Sequence, residues 1–201
     1  MISFSFILPK KSLTLVNSNM SLNAALNLLE GGNFLSLPVV KNNEFLGVIS
    51  KEKILQRMME TPEAEIFVEE IVRRDIPSLG MDSDPEEAAQ LLANTNTPFV
   101  AINDVNEGFT GIITHKTIFK HYSALFGINK GHKLIITSYD IKGRLAQLTD
   151  IISKEGGNII SLIIDNPNVS TNVVKIILRL ECEDIDLLRK SIEAAGFSIR
   201  K

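Results

Sequence analysis

The feature that most constrains this chain is an internal repeat. One segment reads SLTLVNSNMSLNAALNLLEGGNFLSLPVVKNNEFLGVISKEKIL and a later one DIPSLGMDSDPEEAAQLLANTNTPFVAINDVNEGFTGIITHKTIF. Each contains a short strand, a polar capping stretch, an Ala/Leu-rich helix, a Pro-containing strand, a turn, a second strand and a second helix. The copies register on Gly47-Val48-Ile49-Ser50 and Gly111-Ile112-Ile113-Thr114, a shift of about 64 residues. Pro38-Val39-Val40 and Pro98-Phe99-Val100 then align with small loop differences.

Local signals support this parsing. Asp84-Pro85-Glu86-Glu87 predicts a helix start, with Asp as N-cap, Pro in the first turn and Glu three residues after the cap. Ser21 caps the matching helix, whose Leu22, Ala25, Leu26 and Leu29 share one apolar face. Asn42-Asn43 and Asn106-Glu107-Gly108 read as hairpin turns. Thr61–Glu65 reads as an acidic linker between the copies. Residues 1–11 carry a faint strand pattern that would complete the first repeat.

After Lys130-Gly131 the pattern changes. Lys133–Tyr139 predicts a strand, Gly143–Glu155 an amphipathic helix, Asn158–Ile164 a strand and Asp165-Asn166-Pro167-Asn168 a turn. Asn172–Leu180 is again β-rich, Asp184–Ala195 helical, and Gly196 stops that helix before a last short strand. The order βαββαβ is the ferredoxin-like arrangement. The expected fold class is therefore α/β (α+β), with two βαββα-type units forming a pair and a ferredoxin-like domain after them. Expected boundaries are 1–62, 63–128 and 129–201.

Of the 201 residues, 44% are hydrophobic and 22% charged, which predicts packed cores. A net charge of -3 offers no basic field for nucleic acid. MISFSFILPKK is too short to span a bilayer, and its positive charges follow the apolar run, the reverse of a signal peptide. Cys182, the only cysteine, excludes an internal disulfide and zinc fingers. A cytoplasmic protein without a membrane span is the expectation.

The Pro-Val-Val strand, the Gly-x-x-Ser/Thr turn and the tandem spacing resemble a pair of CBS domains over roughly residues 1–126. Tyr139–Ala146 and Gly156-Gly157-Asn158-Ile159 look like an ACT domain over 132–201. The order CBS–CBS–ACT is similar to bacterial regulatory proteins of the acetoin-utilisation type. The resemblance implies a ligand sensor: paired CBS domains bind adenosine-containing ligands in a cleft, and ACT domains dimerise and often bind amino acids.

Ser50 and Thr114 each end a strand and begin a helix, where a hydroxyl caps free N–H groups and an anion is favoured. Capping alone and phosphate contact both fit. The family pattern expects an acidic residue three positions later, holding a ribose diol, and this chain has Lys53 and Thr117 there. Lysine has no acceptor and threonine offers one neutral oxygen. Three readings stay open: empty pockets on a scaffold, a mononucleotide (AMP or ATP) held through base and phosphate with Lys53 as partner, or cyclic di-AMP. In cyclic di-AMP the 3′ oxygens are in phosphodiester bonds and no diol needs an acid. The base is placed against Leu13, Thr14, Ser36, Leu37 and Pro38 in the first repeat, and against Ser78, Leu79, Thr97, Pro98 and Phe99 in the second, with Phe99 favoured as core.

By resemblance to ACT domains, Asp140 and Asn158 are candidates for an amino-acid ammonium or amide across a dimer interface. Gly143 and Arg144 lie at the helix start, where backbone N–H groups meet a carboxylate. Loop and turn roles in a domain that only dimerises are the alternative.

Catalytic signatures are missing. There is no P-loop, no Gly-x-Gly-x-x-Gly after a strand and no Gly-x-Ser-x-Gly elbow. His115, His121 and His132 lack His-Glu-x-x-His spacing, and His115 is expected to be exposed. Acidic neighbours make Cys182 a poor nucleophile. No metal or required cofactor is expected. The expected partners are an adenine nucleotide, an amino acid, a second copy of the chain and an unidentified protein. The competing expectation is a structural module that dimerises and regulates an enzyme or transporter with its pockets empty.

Overall fold

A computed structural model describes residues 6–62, 65–166 and 172–200. Glu63 and Ala64 of the expected linker, and Pro167 and Asn168 of the expected turn, lie outside them. The chain divides into two compact units, residues 1–119 and 120–201, with the division inside one helix.

In the first unit each repeat builds the same motif. The first contains β2 (Val16–Asn17), α1 (Leu22–Gly31), β3 (Ser36–Lys41), β4 (Glu44–Ser50) and α2 (Lys51–Glu60). The second contains β5 (Ser78–Gly80), α4 (Pro85–Asn94), β6 (Phe99–Asp104), β7 (Gly108–Thr114) and α5 (His115–Leu125), and a one-turn helix α3 (Val68–Ile71) precedes it. In both, the first short strand runs parallel to the second, and a hairpin returns antiparallel. The caps are those the sequence signals. Ser21 Oγ accepts from the N–H of Ala24, and Asp84 forms a capping box with Glu87, with Pro85 at the first helical position. Asn42 and Asn43 both have positive φ (50° and 72°), the requirement of a two-residue type I′ hairpin.

The repeats are interlocked. β1 (Leu8–Pro9) pairs with β7 of the second repeat, so the N-terminal strand does not complete the first one as its position suggests. Reciprocally, the segment entering the second repeat bridges to β4 of the first. Val48 donates to the carbonyl of Arg73, and Arg73 donates to that of Val48, at 2.9 Å each. Gly47 and Gly111 sit beneath these crossings. A Cβ on Gly47 would lie 2.1 Å from the Arg73 carbonyl oxygen, and one on Gly111 2.4 Å from that of Leu8. Only glycine lets the foreign backbone come so close.

Between the repeats lies a shared apolar core of Val48, Ile76, Phe99, Ala101, Phe109 and Ile112. Phe45 reaches across from the first repeat, edge-on to Phe99 at 6.0 Å and tilted over Phe109 at 5.1 Å. Burying side chains of this size contributes about 1.5–3 kcal/mol each. The first repeat has its own core as well, in which Leu22, Ala25 and Leu29 of α1 meet Leu37, Val39, Ile49 and Ile54. Ile66 and Val68 pack there too.

The second unit is ferredoxin-like. β8 (His132–Tyr139), α6 (Arg144–Lys154), β9 (Asn158–Asp165), β10 (Val173–Glu181), α7 (Ile185–Ala194) and β11 (Ser198–Ile199) follow in order. The sheet order is β11-β8-β10-β9, antiparallel throughout. Val174, Ile176, Leu178 and Leu180 alternate along β10 to meet Leu148 and Ile152 of α6 and Leu188 and Ile192 of α7. The turn before β8 packs on the same unit, where Ser161 Oγ donates to the Phe126 carbonyl at 2.9 Å.

Gly47→Ala and Gly111→Ala are each expected to lower stability by about 1–3 kcal/mol, because backbone must move to admit the methyl. Gly31→Ala, in the last turn of α1 with open space at its Cβ position, is expected to add about 0.5–1 kcal/mol. Urea unfolding of the three variants checks both signs.

Candidate functional site

β4 delivers Ser50 to the start of α2, where its Oγ accepts from the N–H of Lys53 at 3.2 Å. The first turn of α2 is tied down by this cap and by the Lys51 N–H, which donates to the Leu35 carbonyl at 2.9 Å, and a helix start favours an anion through its dipole. This one opens on a cleft of about 1010 Å³ formed by Ser36, Ser50 and Lys53 of the first repeat with Asn96, Thr97 and Pro98 of the second. Leu35, Val48, Leu55 and Ile71 supply apolar wall.

Three cations line this cleft, and they differ in how they are held. Lys51 pairs with Glu30 at 2.9 Å. Arg73 forks onto Asp75, with Nε–Oδ1 at 2.7 Å and Nη2–Oδ2 at 3.3 Å, and donates from Nη1 to the Asn96 carbonyl at 2.7 Å. The guanidinium holds the Asp75 carboxyl below the usual carboxylate range. Among the described residues Lys53 has a neutral partner, the Gln56 side-chain oxygen at 3.3 Å, and no carboxylate. Glu52 is the one carboxylate on the lining.

The matching position in the second repeat is closed on itself. Thr117 Oγ1 accepts from the Thr114 N–H and donates to the Thr114 carbonyl, both at 2.9 Å, while Thr114 Oγ1 accepts from the Thr117 N–H at 3.2 Å. The Thr117 proton is spent inside the first turn of α5. His115 is exposed, as expected, yet its Nε2 lies 3.2 Å from the Leu92 carbonyl, where an Nε2–H tautomer donates.

Of the residues placed by pattern, the cleft gathers Ser36, Ser50, Lys53, Thr97 and Pro98. Leu13, Thr14, Ser78, Leu79, Thr114 and Thr117 are outside its lining. Leu37 is buried in the core of the first repeat, Pro38 is buried beside it, and Leu13 packs against the shared core. Phe99 is core, in edge contact with Phe45. Thr97 is itself buried and donates to the Phe99 carbonyl at 2.7 Å, so its hydroxyl fixes the strand start. Among the cleft residues that pattern reading missed, Arg73 lies outside the repeated segments, whereas Asn96 stands two residues before Pro98 within the second. The usable signal was Gly47, a glycine within a strand, which marks a close backbone approach.

Comparison with known proteins agrees with this architecture. The CBS domain family model matches residues 7–60 and 68–124, more than half of the chain. The chain belongs to the CBS domain family. An uncharacterised protein of Methanocaldococcus jannaschii is 29% identical over 119 residues, which is 59% of this chain but only 39% of that relative's length. A hypothetical conserved protein of Geobacillus kaustophilus shares the fold at TM-score 0.55 and 26% identity, over 62% of this chain and 97% of its own. CBSX2 in complex with AMP matches at TM-score 0.51 and 23% identity, over 59% of this chain and 93% of its own. CbpB in complex with cyclic di-AMP matches at TM-score 0.55 and 19% identity, over 61% and 84%. Among the described residues no helix is long and apolar enough to cross a membrane, and no group of three or more His, Cys, Asp or Glu is placed to hold a metal ion.

In the second unit Asp140, Gly143 and Arg144 border a hollow of about 440 Å³ at the β8–α6 turn. Gly143 takes the left-handed conformation (φ 82°) that begins α6. Asn158 opposes Glu181 at the far end of β9, so within one chain it is not brought to Asp140. Arg144 is committed internally. It donates to the carbonyls of Ala195 (3.0 Å) and Gly196 (2.6 Å) and to Ser138 Oγ (3.2 Å), and its guanidinium lies 3.6 Å from the Phe197 ring centre. It closes the end of α7 onto the start of α6. Burial first, and Asp184 second, push the Cys182 thiol up, away from nucleophilic use.

Arg144→Ala is expected to destabilise the protein by about 1–3 kcal/mol, from lost carbonyl bonds and ring stacking. Arg144→Lys should recover less than half, since an ammonium has no planar face to stack on Phe197 and one nitrogen in place of the two that reach the carbonyls. Thermal unfolding of both variants measures this.

Proposed function

We propose that the chain is a non-catalytic ligand sensor whose first-repeat cleft binds an adenine nucleotide through its phosphates rather than its ribose diol. The observation that carries this is the start of α2. There Ser50 and the positive end of α2 stand beside Lys53, a cation with no carboxylate partner among the described residues, in a cleft with apolar walls. The complexes of CBSX2 with AMP and of CbpB with cyclic di-AMP support an adenine nucleotide as the ligand class. Lys53 in place of a diol acceptor favours a ligand that does not need one, such as cyclic di-AMP, or a mononucleotide held by its phosphates.

The C-terminal domain, in this reading, is an ACT-type regulatory domain that pairs two copies. The hollow beside Asp140 and Gly143 would take an amino acid, with Asn158 contributed by the partner. Arg144 serves the fold rather than the ligand in this reading, because four of its donors are held by Ser138, Gln147 and the carbonyls of Ala195 and Gly196. Ligand in the cleft shifts the protein only as far as it binds one arrangement more tightly than another.

A thermal-shift panel of AMP, ADP, ATP, S-adenosylmethionine and cyclic di-AMP tests the reading. At least one is expected to stabilise the protein by about 2.7 kcal/mol at a hundred times its Kd. No shift with any of them at millimolar concentration would leave the interaction-module alternative. Lys53→Asp is expected to improve AMP relative to cyclic di-AMP, by supplying a diol acceptor while removing a phosphate partner.

A further inference from the structure

Arg73 is a cleft residue whose backbone is pinned on both sides by another strand and whose side chain is already bound to a carboxylate. Its N–H and carbonyl are both tied to Val48 at 2.9 Å, so its Cα cannot retreat from the cleft. Its guanidinium offers two edges to two different partners. The Nε–Nη2 edge holds Asp75, and Nη1 holds the Asn96 carbonyl in the loop that leads into β6. Asp75 does not line the cleft, and its side chain is 77% exposed. A pair exposed to this degree is screened by solvent and salt, which opens it to exchange with another anion. A phosphate has the geometry that suits a guanidinium fork.

Resting on the nucleotide reading above, we propose that Asp75 is an internal competitor for Arg73. Its carboxylate occupies the guanidinium edge that a ligand phosphate takes, and filling the cleft exchanges one anion for the other. Because Asp75 lies outside the cleft lining, the exchange turns the freed edge toward the cleft about the pinned Arg73 backbone. The arrangement sets a threshold: an anion must outbid Asp75 to engage Arg73, whereas Lys53 is open to it from the start.

Calorimetric titrations of ATP and of cyclic di-AMP into wild type, Asp75→Asn, Arg73→Gln and the double variant test this. Thermal melts of the free proteins report their folding. Asp75→Asn is expected to bind about two- to five-fold more tightly than wild type, with the gain shrinking at high salt. Arg73→Gln is expected to bind more weakly, and Asp75→Asn should add nothing in the Arg73→Gln background. Equal or weaker binding by Asp75→Asn would overturn the proposal, since Asp75 would then be orienting Arg73 for the ligand. A gain that persists without Arg73 would overturn it too, as a general charge effect. Wild type binding neither probe, with Asp75→Asn equally silent, would remove the nucleotide reading itself.

Discussion

The reciprocal backbone crossing over Gly47 and Gly111 is the constraint on which the rest of the first unit depends. Each repeat lends a segment to the other's sheet: Leu8–Pro9 to β7, and Arg73 to β4. Neither glycine has room for a side chain at the crossing. The exchange turns two small α/β motifs, each with one apolar face to hide, into a pair with a common core around Phe45, Phe99 and Phe109. It also sets where the cleft can form. The bridge that closes β4 carries the Arg73 side chain to the cleft wall, opposite the α2 start that Ser50 caps.

Sequence symmetry and chemical symmetry part company at the two strand-to-helix corners. Both corners have a hydroxyl cap, yet Lys53 follows the first and Thr117 the second. In the first, the ammonium is left with an amide oxygen for company. In the second, Thr117 folds back onto Thr114 and spends its proton locally. The same backbone therefore places Lys53, bonded to Gln56, three residues after one cap, and a self-satisfied threonine three residues after the other.

Much of this fold is legible in the residues because local signals and periodicity agree. Asp84-Pro85-Glu86-Glu87 can only begin a helix comfortably, Asn42-Asn43 suits a tight hairpin, and the alternation along 173–181 marks a strand with one buried face. The corners at Ser50 and Thr114 follow from the same signals. The strand exchange is not legible, since two-residue strands have no period and their partners are fixed by tertiary packing alone. For that reason the strand pattern in residues 1–11 does not disclose its partner β7, and no pattern points to Arg73. Arg144 shows the converse limit. Its position at a helix start suggests ligand contact, and only the folded chain brings Phe197 and the carbonyls of Ala195 and Gly196 to it.

Nucleotide phosphates are expected at the first-repeat corner and not at its counterpart, and amide chemical-shift mapping by NMR, with AMP and cyclic di-AMP added in turn to the full chain, distinguishes the two. Ser50, Lys51, Glu52, Lys53 and Arg73 are expected to shift on titration with at least one of them, while Thr114 to Thr117 change little. Shifts centred on Thr114 to Thr117, or confined to the second unit with Ser50 to Lys53 unmoved, would contradict that placement.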